Sequence, residues 1–186
     1  MTTNEIYRDA ENRMKKSVEH LHHELTRIRT GRASPALLDV VKIDYYGSMV
    51  PLNQASSITA PEPRLLVIQP WEKRLIGEIE KAILQSDLGL NPTNDGNVVR
   101  VPIPELSEER RQDLLKLVKK FCEETRVAIR NIRRDANDHV KNLEKDHEIS
   151  EDESHKVQDE IQKLTDEYVG KVDEHYNSKE KEILED

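Results

Sequence analysis

Residues 107–145 read SEERRQDLLKLVKKFCEETRVAIRNIRRDANDHVKNLEK, a run with neither proline nor glycine. Within it Leu114, Val118, Phe121, Thr125, Ala128, Ile132, Ala136 and Leu143 recur at spacings of three, four or seven. That is the period of a single apolar stripe on a helix. Ser107 is placed to cap its start, and Glu108 and Glu109 suit the positive end of the dipole. Such a helix runs for about 38 residues and about 57 Å. Its stripe is too thin to stand alone in water, so other elements have to cover it.

Two further segments carry matching stripes. Residues 4–29 place Met14, Val18, Leu21, Leu25 and Ile28 on one face, and Gly31 and Pro35 stop that helix. Beyond Ser150 and Glu153, which read as a capping box, Val157, Ile161, Leu164, Tyr168 and Val172 repeat the pattern. Three long helices with this spacing predict a three-helix bundle.

Between the first two helices the texture changes. Val40 to Tyr46, Leu65 to Ile68 and Val98 to Val101 are strand-like, and Trp71 to Leu84 reads as a short helix. Gly47, Pro51, Pro61, Pro63 and Asn94 to Gly96 punctuate them. The expected fold class is therefore α+β. Residues 1–30 and 105–186 form the bundle, and residues 31–104 form a small inserted β/α domain. The chain enters and leaves the insertion through Thr30, Gly31 and Arg32 and through Pro102, Pro104 and Glu105. Prolines fix φ and restrict the residues before them, which confines bending to a few neighbours. Two readings stand at this point, a hinge between stiff bodies or a pair of turns beneath a fixed interface.

The long helix also carries a basic stripe. Arg126, Arg130 and Arg133 fall within about 60° of arc, and Lys119 and Asn137 continue it. Arg130 and Arg133 have no acidic residue three or four positions away, and Arg126 has only Glu123. The like-charged neighbours cost the helix roughly 0.2–0.5 kcal/mol each, a pattern that implies an anionic partner from outside. Guanidinium forks suit phosphate oxygens. Arg134 points away from the stripe and has Asp138 at i+4. Arg29 and Arg32 either extend the basic surface or face the carbonyl end of the first helix.

The formal charge of −8 conceals a division, since residues 1–134 hold 22 Lys/Arg against 19 Asp/Glu and residues 135–186 hold 7 against 18. Cys122 is the only cysteine, so no intrachain disulfide forms and a reducing compartment is expected. Its place beside Phe121 reads as packing. The N-terminus lacks the apolar core of a signal peptide and no run of 18 apolar residues occurs, which predicts a soluble, cytoplasmic protein with no membrane partner. His20, His22 and His23 lack a second ligand cluster, so no metal is expected. Phosphate loops, nucleophile elbows and zinc-protease motifs are absent, as is a DNA-recognition motif. From the residues alone the chain is a non-catalytic helical protein with one basic face. A helical adaptor that binds partner helices through its apolar seams is the alternative.

The strings IRTGRASP (28–35), YYG (45–47), IEKAI (79–83), SDLGLNP (86–92), EERR (108–111), RVAIRNIRRDA (126–136) and KLTD (163–166), in this order, closely resemble the bacterial ribosome recycling factor family. The resemblance implies an elongated three-helix bundle with an inserted β/α domain, in an L shape like that of a transfer RNA. It implies a monomer without cofactor that binds ribosomal RNA of the large subunit after termination. With elongation factor G and GTP, such a factor splits the ribosome so that messenger and deacylated transfer RNA leave. The hydrolysis belongs to elongation factor G. By position, Arg130, Arg133 and Arg134 would contact RNA, with Arg29, Arg32 and Arg110 as accessories.

Overall fold

The computed structural model describes residues 1–185. In chain order the elements are α1 (Thr3–Thr26), a 3-10 turn (Pro35–Leu38), β1 (Lys42–Tyr45), β2 (Ser48–Pro51), α2 (Leu52–Ala55), β3 (Ser56–Glu62), β4 (Leu65–Pro70) and a second 3-10 turn (Lys73–Leu75). There follow α3 (Ile76–Gln85), β5 (Thr93–Asn94), β6 (Val99–Pro102), α4 (Glu108–Lys145) and α5 (Glu151–Leu184). The described chain divides into two compact units, Met1–Arg29 with Glu109–Glu185, and Thr30–Glu108.

The first unit is the three-helix bundle that the apolar stripes predict. α1 opens on a complete capping box, in which the Thr2 hydroxyl accepts from the Glu5 amide and the Glu5 carboxylate accepts from the Thr2 amide. It closes at Thr26, whose hydroxyl donates to the His23 carbonyl at 2.7 Å and competes with the helical ladder. Ile28 therefore lies beyond the helix and is only half-buried. α4 ends in a Schellman arrangement: Glu148 N–H donates to the Leu143 carbonyl and His147 N–H to that of Glu144. His147 takes the left-handed position at φ 60° that glycine usually fills. Ser150 then caps α5 by accepting from the Glu153 amide. Met14, Leu21, Ile129 and Ile161 are fully buried, each contributing about 1.5–3 kcal/mol by leaving water.

The α4 stripe buries Leu114, Val118, Thr125, Ile132 and Ala136 as expected and is shifted toward one flank at its other positions. Cys122, Ile129 and Val140 are buried, whereas Phe121, Ala128 and Leu143 are only partly so. Spacing alone leaves that phase open to within about a third of a turn, because apolar residues occupy both flanks of this helix.

The second unit has an antiparallel sheet in the order β3-β4-β6-β5 and a separate β1-β2 hairpin. Tyr46 and Gly47, at φ 52° and 83°, form the two-residue hairpin turn, and the Asp44 carboxylate accepts from the Gly47 amide. Ile76, Ile79 and Ile83 of α3 share a core with Leu66, Ile68, Val99 and Val101. Trp71 does not start that helix; it is 63% exposed, and the 3-10 turn intervenes. β3 forms despite Pro61 because it is an edge strand whose register shifts between Thr59 and Glu62.

The Pro63–Arg64 turn anchors both connecting segments. Its carbonyls accept from Ala33 N–H at 2.7 Å and Ile103 N–H at 2.8 Å, and the Arg64 guanidinium pairs with Glu105. Pro102 lies opposite Leu65 in the sheet register. It is the last residue of β6.

The His175 ring on α5 lies 5.1 Å from that of His22 on α1. Burial and His22 hold its pKa below the ordinary 6.5, while Glu174 acts in the opposite sense. The unfolded chain therefore takes up this proton first, and bundle stability falls as pH drops through 6.5. The urea midpoint is expected to decline between about pH 7.5 and about pH 5.5, with a shallower decline in His175→Gln. Identical slopes for the two proteins would contradict this.

Candidate nucleic-acid interface

Burial of the α4 stripe places its arginines in unequal surroundings. Arg126 stands at the α5 edge with only 19% of its side chain exposed; its Nη2 and Nε donate to Asp173 Oδ1 of α5 at 2.6 and 3.1 Å, and its Nη1 lies 3.3 Å from Glu123. Burial opposes its charge, but the Asp173 and Glu123 carboxylates outweigh that and raise its pKa. Arg130 is 45% exposed and reaches Glu123 Oε1 at 3.3 Å. Arg133 donates only to the Gln162 amide oxygen on α5, at 3.4 Å.

These contacts revise the expectation of an uncompensated stripe. Arg126 is neutralised by a carboxylate from another helix and serves the bundle. Arg130 finds its acid seven residues back, two turns down the same face, outside the three- and four-residue window. That exposed pair is worth at most about 1 kcal/mol, and Glu123 already serves Arg126. Among the described residues no carboxylate pairs with Lys119, Arg133 or Arg134, and the pair expected between Arg134 and Asp138 is not formed. Lys119, Arg126, Arg130, Arg133 and Arg134 thus meet two carboxylates, Glu123 and Asp173. The edge keeps a net positive charge.

Arg29 and Arg110 lie elsewhere. They line a cleft on the α1 side of α4 together with Arg27, and Arg110 sits about 160° around the helix from Arg126. Arg32 belongs to the inserted unit. Within the bundle unit, Arg29 and Arg110 are therefore on a different face from Arg126, Arg130 and Arg133. Asp173 and Gln162 were not identifiable as partners from α4 alone, because they lie about 30 to 50 residues away in the chain and only helix packing brings them near.

Cys122 is fully buried, and burial pushes its thiol pKa up despite Arg126, as a packing residue requires. Among the described residues no group of three or more His, Cys, Asp or Glu side chains is arranged to hold a metal. No helix among them is long and apolar enough to cross a membrane.

Three long helices interrupted by a small β-rich unit, with a basic edge on the longest helix, define a two-unit helical-bundle protein of the α+β class. The family model for ribosome recycling factor matches residues 21–184. The ribosome-recycling factor of Clostridium botulinum (strain Eklund 17B / Type B) is 63% identical over 180 residues, covering 97% of each chain. That of Syntrophomonas wolfei is 55% identical over 97% of this chain and 98% of its own. The solution structure of a ribosome recycling factor matches with a TM-score of 0.75 at 44% identity, covering 100% of this chain and 99% of that one. A second structural match, at TM-score 0.65 and 52% identity over 99% and 100% of the two chains, is the Thermus thermophilus factor in models with Escherichia coli elongation factor G bound to the post-termination complex. The chain belongs to the ribosome recycling factor family.

The unequal roles of the arginines are separable by urea unfolding. Arg126→Ala is expected to destabilise the bundle by about 1–2 kcal/mol, whereas Arg133→Ala and Arg134→Ala change it by less than about 0.5 kcal/mol. Equal losses in all three would contradict the assignment.

Proposed function

We propose that this chain is a translation factor that binds the post-termination ribosome through large-subunit RNA. With elongation factor G and GTP it splits the ribosome into subunits, releasing messenger and deacylated transfer RNA. The observation that carries this reading is the exposed, net-cationic edge of α4 in a chain of this family. Arg130, Arg133 and Arg134 take phosphates, with Lys119 beside them. Arg126 braces the edge, Arg29 and Arg110 contribute a separate basic surface of the bundle unit, and Arg32 contributes from the inserted unit. Phosphate contacts of this kind position a rigid element without reading sequence.

In this reading the chain performs no covalent chemistry. GTP hydrolysis belongs to elongation factor G, whose presence beside the Thermus thermophilus relative supports the partnership. The factor works in the cytoplasm as a monomer. Force on the inserted unit reaches the bundle through the connecting segments, where bending is concentrated at Thr30, Gly31, Arg32, Pro104 and Glu105. Gly31 at φ 80° holds a backbone conformation that other residues resist. Ala33 and Ile103 are tied to the Pro63–Arg64 turn, so the rigid part of the insertion begins at that turn.

The test combines sedimentation with large subunits and a splitting assay on post-termination ribosomes. Splitting is expected only when the chain, elongation factor G and GTP are all present. Arg130→Glu with Arg133→Glu is expected to weaken subunit binding at least about tenfold, since two phosphate contacts become repulsive. Undiminished binding would contradict the RNA reading and favour docking of partner helices on the apolar seams.

A further inference from the structure

We propose that the cleft between α1 and α4 receives one unstacked nucleotide of RNA, with its base against Phe121 and its phosphate against Arg27, Arg29 and Arg110. The proposal rests on the RNA-binding reading of α4 and assigns that reading a second, chemically different contact.

Phe121 is the only phenylalanine in the chain. It is half-buried, while its neighbour Cys122 is fully buried. The rotation of α4 that buries Cys122 and Ile129 turns Phe121 into the cleft. Leu117, 37% exposed, and Leu114 complete an apolar floor there. The space is about 350 Å³, at the lower end of the roughly 300–1,000 Å³ of ligand pockets.

Charge fixes the orientation of the occupant. Glu24 is the one carboxylate lining this part of the cleft and pairs with Arg27 at 3.6 Å, so Arg29 leaves the lining with a positive charge. Arg29 is exposed. Past Phe121 the cleft continues for about 210 Å³ along Ser17, His20 and Ala128, where Glu24 and Glu124 are the charged groups and no arginine or lysine contributes. A phosphate is favoured at the arginine end, since no arginine or lysine lines the other. An apolar, aromatic floor beside guanidinium groups is the arrangement that holds unpaired bases, by stacking and by backbone charge together. The cleft lies on the flank of α4 opposite the basic edge, so it is a contact separate from that edge.

The experiment uses the full chain and isolated large ribosomal subunits. Phe121→Leu keeps the apolar volume and removes the ring face, and Phe121→Trp restores one. Phe121→Leu is expected to weaken subunit binding about five- to tenfold with no change in its salt dependence, and Phe121→Trp to recover it. Arg29→Gln with Arg110→Gln is expected to weaken binding and reduce the salt dependence. A benzophenone side chain in place of Leu117 is expected to cross-link to an unpaired nucleotide. Wild-type binding by Phe121→Leu, or cross-links confined to ribosomal protein, would overturn the proposal. If Arg130→Glu with Arg133→Glu still loses binding in that case, only the cleft falls; if that variant also binds normally, the RNA reading itself has failed.

Discussion

A helix 38 residues long has one rotational setting once its apolar stripe is covered, and in α4 that setting decides where every charge goes. Burial of Cys122, Ile129 and Val140 turns one edge toward α5, where Asp173 meets Arg126. Arg130, Arg133 and Arg134 are then carried outward or along the edge. The opposite flank, with Phe121 and Ala128, is left lining a cleft beside α1. Hydrophobic burial supplies the energy, and the charges follow from it. A rotation of one residue, about 100°, would bury arginines and expose the core.

The arginines consequently divide the work between structure and binding. Arg126 is expensive to bury alone, and Asp173 offsets that cost while fixing the register of α5 against α4. Arg130 holds a weak, exposed pair with an acid that Arg126 already uses, so a phosphate can replace that acid with little loss. Arg133 has only a neutral amide partner. The cationic edge is thus held by the bundle itself and, in the proposed reading, stays open to RNA. In the proposed reading, the acidic bias of residues 135–186 would disfavour approach of RNA along α5 and favour the α4 edge.

Much of the fold was legible because the three stripes and their caps are local signals. The helix of about 38 residues after Ser107 and the turn at Ser150 need no tertiary information. The phase of the α4 stripe was legible at Leu114, Val118, Thr125, Ile132 and Ala136 but not at its flanks, since Phe121 and Cys122 are both apolar and only the positions of α1 and α5 choose between them. β3 was hidden by Pro61, which only an edge position tolerates, and β5 by its two-residue length. In the candidate site, the shared arc of Arg126, Arg130 and Arg133 was readable, but the compensation of Arg126 by Asp173 and of Arg130 by Glu123 was not. The first crosses helices and the second spans seven residues, beyond the reach of pairwise helix rules.

The central claim is that α4 offers unspent positive charge to an RNA backbone. The most direct measurement is the salt dependence of binding to large ribosomal subunits, compared between the native chain and one carrying Arg133→Gln and Arg134→Gln. About three neutralised phosphates give a log–log slope near −2 to −3, and the double substitution should bring it closer to zero by one to two units. A native slope near zero, or an unchanged slope in the substituted chain, would contradict the account.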